Sequence, residues 1–445
     1  MSTESDTIFA PATGGGPAGI AIIRVSGSRA AAALTEITGR NAWVPRRATN
    51  VRLRARDGEM LDRGLALWFR APASFTGEDV AELHLHGGRA VVTAALAALA
   101  EIRGLRPAEP GEFTRRAFAN GKLDLTQAEA LADLVAAETA AQRRQALRQL
   151  DGELGELYQR WRDRLVGAMA RLEATIDFAD EDLPDGLDGE TRSEVAAVHS
   201  EVLAHLADGR RGERIRDGIA IALIGPPNAG KSSLLNALTR REAAIVDAAP
   251  GTTRDVIEVP MDLGGFRVVL SDTAGLREAE GRVEREGVRR TRARAAAADL
   301  RLLVFDGERW PSFDEQTAGL WDDDTIAVLN KGDLDGVEAP ARICGRDAII
   351  VSALTGAGIP DLLGELTRRV GRTCDGGDGP ALTRIRHRRH LRSCCDALGR
   401  FGHADADETS AEELRAAVAS LGRITGRVDV DDVLDAIFRD FCIGK

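Results

Sequence analysis

Hydrophobic and polar positions fall into three successive textures along the 445-residue chain. Up to about residue 118, short apolar runs alternate with Gly- and Pro-containing turns. Ile20 to Val25, Leu65 to Phe69 and Val80 to Leu85 read as strands, and Ala90 to Ile102 as a helix. From about Leu123 to Glu213 the spacing becomes helical. Leu125, Ala128, Leu131, Leu134 and Val135 recur on one face, as do Leu147, Leu150, Leu154, Leu157 and Trp161. An acidic loop, Asp180 to Gly189, interrupts these long helices.

Near Asp217 the texture changes again. Ile219–Ile224, Val268–Leu270, Leu300–Phe305, Ile326–Leu329 and Ala348–Val351 are apolar runs separated by helical stretches. Strands alternating with helices predict a mostly parallel sheet. This block ends near Gly371. A Gly-rich linker follows from Cys374 to Pro380, and helical spacing then resumes to the end. The chain therefore reads as an α/β and all-α multidomain protein. It has an N-terminal α/β domain over 1–119 and a helical domain split into 120–214 and 374–445. A second α/β domain, 215–373, is inserted between the two helical parts.

Composition narrows the class. No apolar run approaches the ~18 residues of a membrane span, and Met1 to Thr7 shows no signal-peptide pattern. A cytoplasmic protein without a membrane partner is expected. The five cysteines form neither a disulfide framework nor a zinc spacing, and Cys394-Cys395 reads as buried filler. A net charge of −11 argues against a general nucleic-acid coat. The run Arg384 to His390 is the best candidate for a local basic face, with a solvated helix face as the alternative. Only four lysines occur, Lys122, Lys231, Lys331 and Lys445. Arginine serves everywhere else, so these four mark places where a wide planar cation does not fit.

Two of the four lie in nucleotide motifs. Gly225-Pro226-Pro227-Asn228-Ala229-Gly230-Lys231-Ser232 follows a strand and opens a helix. Its backbone N–H groups can wrap phosphates, Lys231 reaches the β- and γ-phosphates, and the Ser232 hydroxyl ligates Mg²⁺. About 20 residues later comes Gly251-Thr252-Thr253-Arg254-Asp255. There Thr253 supplies the hydroxyl that meets Mg²⁺ only when a γ-phosphate is present. Asp272-Thr273-Ala274-Gly275 ends a strand. Its acid holds Mg²⁺ through water, and the Gly275 N–H senses the γ-phosphate. Asn330-Lys331-Gly332-Asp333 follows the next strand. The Asp333 carboxylate accepts both N–H donors of guanine's pyrimidine edge, a pair that adenine lacks. Ser352-Ala353-Leu354 closes over guanine O6. In this order the elements predict a Ras-like guanine-nucleotide domain. The position after Gly275 is Leu276, where many Ras-like proteins carry a water-orienting glutamine. Two residues stand out as substitutes. Asn228 can hold a monovalent cation against the phosphates, and Glu284 can orient water.

Other segments carry a resemblance. They are Asp6-Thr7-Ile8, Gly14 to Gly19 with Ile23-Arg24-Val25-Ser26-Gly27, Phe75 to Asp79, His86-Gly87-Gly88, Pro110 to Thr114, Lys122 to Leu125 and the terminal Phe441-Cys442-Ile443-Gly444-Lys445. With the inserted G domain, the chain resembles the tRNA modification GTPase family MnmE, also called TrmE, along nearly its whole length. The resemblance implies an N-terminal domain that dimerises and binds 5-formyltetrahydrofolate or a related one-carbon folate through Arg24, Glu82, Lys122 and Lys445. It implies GTP contacts at Asn228, Ala229, Gly230, Lys231, Ser232 and Ser233, at Asp247, Ala248, Ala249, Pro250, Gly251, Thr252 and Thr253, and at Asp272, Thr273, Ala274, Gly275, Asn330, Lys331, Asp333, Ser352, Ala353 and Leu354. It implies a potassium ion held by Asn228, Asp247, Ala249 and Thr252. Threonine and isoleucine are common in the family where this chain has Asp247 and Ala249. It further implies Glu284 as the catalytic glutamate and Cys442 as a residue of the modification chemistry. A homodimer is implied, in complex with the FAD-containing protein MnmG, installing an aminomethyl or carboxymethylaminomethyl group at C5 of the wobble uridine of certain tRNAs. A GTP-dependent RNA assembly factor is the other class that the G domain admits. Such a factor needs neither the folate set nor Cys442.

Overall fold

A computed structural model of the chain describes residues 6–177, 187–241, 258–272, 296–374, 379–403 and 407–428, with Leu434, Ile437, Phe441 and Gly444 beyond them. The chain divides into two compact units. One comprises 1–132, 150–167 and 415–445, and the other 133–149 and 168–414.

The first unit is built on β1 (Thr7–Pro11), β2 (Ala18–Ser26), β3 (Thr49–Arg54), β4 (Met60–Phe69), β5 (Val80–Gly87) and β6 (Leu105–Pro107), in the order β3-β4-β5-β2-β1-β6. Only β1 and β6 pair in parallel. Alternation along the strands sends Ile23, Val25, Leu53, Ala66, Leu83 and Leu85 to one face. The helices Ala30–Thr38 and Arg89–Ala100 cover that face with Leu34, Ile37 and Leu99. On the other side Ile8, Ala10 and Phe113 form a small cluster. Gly444 has φ +104, and its Cα lies so close to the Pro11 carbonyl and Ala12 that no Cβ fits. Gly444 therefore lies against the end of β1.

Glu112 opens the helix Glu112–Ala119 and knits this unit together. It accepts two hydrogen bonds from Arg106, at 2.8 and 2.6 Å, and one from Arg116 at 2.9 Å. Arg116 also binds Glu78 at 3.1 Å. Burial raises the Glu112 pKa, but the Arg106, Glu109-amide and Arg116 hydrogen bonds outweigh it and bring it to about 2. A depressed carboxylate pKa stabilises the fold above the unfolded value of 4.5, and that contribution is lost as pH falls toward 2. Glu112→Gln is expected to cost about 2 kcal/mol at pH 7, discounted because the Arg106 side chain is 40% exposed. The difference from wild type should shrink at pH 3 in urea unfolding followed by tryptophan fluorescence.

The second unit carries β7 (Ile219–Ile224), β8 (Glu258–Leu263), β9 (Phe266–Asp272), β10 (Leu300–Asp306), β11 (Thr325–Asn330), β12 (Ala341–Ile343) and β13 (Arg346–Ile350). Their order is β12-β13-β11-β10-β7-β9-β8. The five inner strands run parallel, and β8 and β12 are antiparallel edges. β7 and β11 are apolar on both faces, as a doubly covered parallel sheet requires. The helices Lys231–Arg241 and Ile359–Cys374 pack on one of those faces.

Three sequence expectations change here. The helical run through Leu147 and Trp161 is two helices, Ala140–Leu150 and Glu153–Asp177, broken at Gly152 with φ +100. Cys374 is not the start of the linker: it is the buried last residue of the helix Ile359–Cys374, with its thiol pushed up to about 11 by burial. The run Arg384 to His390 is only partly at the surface, with Arg389 exposed. Arg384 caps the helix Ile385–Phe401 and binds Asp133 at 2.7 Å. Arg388 is buried against Asp208 at 2.9 Å and Glu213 at 3.0 Å, and His387 is fully buried. Cys394 and Cys395 are buried as expected, and burial pushes Cys394 up to about 12.

Candidate guanine-nucleotide site

The inserted α/β unit gathers its candidate residues at the carboxyl ends of β7, β9, β10 and β11, where ligands of open parallel sheets bind. β7 ends at Ile224, and the chain turns through Asn228 (φ +64) and Gly230 (φ +84) into the helix Lys231–Arg241. A non-glycine residue at positive φ is uncommon, and asparagine tolerates it best. Lys231 is buried, and its Nζ donates to the Gly225 and Pro226 carbonyls at 2.9 and 2.8 Å. Burial pushes its pKa down, and the Asp272 carboxylate opposes that. An ammonium held on loop carbonyls is poised to exchange them for phosphate oxygens.

Ser232 Oγ donates to Asp272 Oδ2 at 2.5 Å, across the parallel pair β7–β9. A hydroxyl beside a carboxylate is a hard oxygen donor set of the kind Mg²⁺ takes.

Asn330 closes the site. Its Nδ2 donates to the buried Ala229 carbonyl at 2.9 Å, and its Oδ1 accepts from the Ala353 N–H at 3.1 Å. One side chain thus ties the phosphate loop to the Ser352–Leu354 loop. Gly230 is needed beneath it, because a Cβ there would meet Asn330 Nδ2. Ser352 is fully buried, and its Oγ accepts from Thr355 N–H at 3.1 Å. Lys331 sits at φ +61, its Nζ bound to Asp306 at 2.9 Å and Glu308 at 3.0 Å. Its hydrogen bond to the Asp306 carboxylate is the largest cause raising its pKa. Asp333, Leu354, Asn228, Ser232 and Ser233 are exposed toward solvent. Asp247, Ala248, Ala249, Pro250, Gly251, Thr252, Thr253, Thr273, Ala274, Gly275 and Glu284 lie outside the described residues, so the potassium set is represented by Asn228 alone.

Asp306 and Glu308 were not singled out from the sequence. The available signal is an acid ending one parallel strand in register with Asn330 on the next.

The folate candidates sit in the other unit. Arg24 and Glu82 are register partners on β2 and β5, and Arg24 donates to Glu82 Oε1 through Nε at 3.1 Å and Nη2 at 3.0 Å. The rings of Phe75 and Phe113 lie 5.3 and 5.8 Å from the guanidinium. Glu82 lies in mid-strand with a 16% exposed side chain, so it is not a surface strand-end carboxylate. Lys122 Nζ donates to the Pro72 carbonyl at 3.2 Å. Lys445 and Cys442 lie outside the described residues, but Gly444 packs against Pro11, whose strand pairs with the one bearing Arg24.

Family profiles match the chain on both sides of this site: the N-terminus of the GTP-binding protein TrmE over residues 7–122, and the MnmE helical domain over 125–442. A tRNA modification GTPase MnmE of Paramagnetospirillum magneticum is 59% identical over 99% of this chain and its own full length. The chain belongs to the MnmE family of tRNA modification GTPases. The MnmE of Rhodospirillum rubrum is 55% identical over 99% of each chain. A human mitochondrial relative, 48% identical over 99% of this chain and 93% of its own, is named as the GTPB3 subunit of a 5-taurinomethyluridine-[tRNA] synthase. The range of the MnmE helical-domain profile includes the residues of the second α/β sheet. No helix among the described residues is long and apolar enough to cross a membrane.

Proposed function

We propose that this chain hydrolyses GTP to drive modification of C5 of the wobble uridine in tRNA, adding an aminomethyl or carboxymethylaminomethyl group with a one-carbon folate and an FAD-containing partner. The observation that carries the reading is the Asn330 bridge. It fixes the phosphate loop, the guanine-reading segment and the Ser352 loop as one preorganised pocket. In that pocket Lys231 meets the β- and γ-phosphates, Ser232 and Asp272 hold Mg²⁺ with Thr253, and Asp333 reads guanine. The Mg²⁺ and K⁺ ions supply positive charge where negative charge develops on the phosphates. Asn228, with Asp247, Ala249 and Thr252, holds the monovalent cation, and Glu284 orients the water that Leu276 cannot.

The folate supplies the one-carbon unit. In this reading Glu82, oriented by Arg24, accepts pterin N–H donors, and Lys122 and Lys445 are the cations for the glutamate carboxylates. Cys442 takes part in the modification chemistry. A homodimer is supported by the β2 side of the first unit's sheet, three strands from β3, where Ile20 is 62% exposed.

The reading is tested by titrating 5-formyltetrahydrofolate into the purified chain by calorimetry. Wild type is expected to bind. Lys122→Ala and Arg24→Ala should each weaken binding by roughly 10-fold or more, the worth of one charged hydrogen bond. A chain that binds no folate, or variants that bind like wild type, would remove the one-carbon chemistry and leave a GTPase with a dimerisation scaffold.

A further inference from the structure

Charge is segregated in the first unit. Residues 40 to 70 hold eight arginines against three carboxylates, a local excess of five positive charges on a chain of net −11. All eight arginines are exposed. Among the described residues none of them has a carboxylate within salt-bridge distance. Asp62, the nearest acid in the register, instead accepts from the His86 ring and amide at 2.8 and 2.9 Å. Arg46 and Arg54 spend their hydrogen bonds on the Ala73 and Gly58 carbonyls.

The strands concentrate this charge. β3 is the free edge of the sheet. Val51 and Leu53 point to the helix-covered core, so Arg52 and Arg54 lie on the opposite, open face. Arg63 is the direct cross-strand partner of Arg52. Like charges placed opposite one another destabilise an antiparallel pair. Arginines on an edge also discourage sheet-to-sheet pairing. That role does not explain a like-charged cross-strand pair, nor why the segment before β3 adds Arg46 and Arg47 without an acid.

We infer that this arginine edge, centred on Arg52, Arg54 and Arg63, is the surface on which the chain takes the phosphate backbone of its tRNA. The inference rests on the tRNA-modifying reading above and names the docking surface for that substrate. Guanidinium forks match phosphate oxygens bidentately. Contacts of this kind position a nucleic acid without reading its sequence, which suits an enzyme serving several tRNAs.

The test is a salt titration of binding between the full chain and an in vitro transcribed tRNA with uridine at the wobble position. Wild type is compared with the triple variant Arg52→Gln, Arg54→Gln, Arg63→Gln. Losing about three phosphate contacts should flatten the slope of log affinity against log salt by roughly 2 to 3, a loss of roughly 10²-fold at 0.1 M salt. GTP turnover should be unchanged, because none of the three residues lies in the G domain. A variant that keeps wild-type affinity and slope overturns the docking surface and leaves the tRNA reading standing. A wild-type chain that hydrolyses GTP but binds no tRNA overturns both. Loss of binding to the FAD-containing partner with tRNA affinity intact would make this edge a protein-docking surface instead, and would also overturn the inference.

Discussion

Asp333→Asn is expected to lower GTP affinity by roughly 10³-fold and to raise affinity for xanthosine triphosphate over wild type. The carboxylate at 333 is the only charged acceptor that the guanine-reading segment offers, and guanine presents two N–H donors to it. Each hydrogen bond to a charged group is worth about 1.5–3 kcal/mol, so losing both costs about 4 kcal/mol, roughly 10³-fold. Xanthine has a carbonyl where guanine has its exocyclic amine. An asparagine amide can donate to that carbonyl, and a carboxylate repels it. The surrounding frame favours a clean exchange. Asp333 is exposed and, among the described residues, its side chain makes no hydrogen bond, whereas Asn330 and Gly332 are packed into the frame. Competition of unlabelled GTP and XTP against a fluorescent guanine nucleotide measures both affinities. Equal loss of both nucleotides would place guanine recognition elsewhere.

Much of this pocket was legible in the chain because its residues are fixed by chemistry at short spacing. A phosphate cradle needs small residues and one cation next to a helix start, so Gly230, Lys231 and Ser232 declare themselves. Buried parallel strands such as Ile219–Ile224 show as unbroken apolar runs. Less legible were groups whose role depends on strands distant in sequence. Asp306 fixes Lys331 only because β10 and β11 lie side by side. The basic run at Arg384 looks like a surface from its composition, but its partners Asp133, Asp208 and Glu213 come from far earlier in the chain. Edge elements were also missed. β8 carries Pro260, which weakens any strand pattern but is tolerated at an edge, and β12 has three residues. The helix Ala30–Thr38 is too alanine-rich to show a strong apolar face.

The second large effect concerns the cation. Leucine at 276 stands where many Ras-like proteins carry a water-orienting glutamine, and the P-loop Gly225 to Ser232 contains no arginine. A potassium ion held through Asn228 would stabilise charge that develops only in the transition state. Deleting one such stabiliser typically costs about 10²–10³-fold in turnover. Sodium is smaller and more tightly hydrated, so it is expected to fit poorly a site sized for potassium. Asn228 is already bent to positive φ at the loop mouth, so this conformation need not be created on binding. Glu284→Ala should abolish the cation-stimulated rate while leaving nucleotide affinity unchanged, because the proposed role of Glu284 is to orient water.

The most direct measurement is therefore steady-state GTP hydrolysis by the purified chain in potassium chloride and in sodium chloride at equal ionic strength. Turnover roughly 10²-fold faster in potassium, and lost in Glu284→Ala, is the expected result. Equal turnover in the two salts, or a Glu284→Ala variant as fast as wild type, would contradict it.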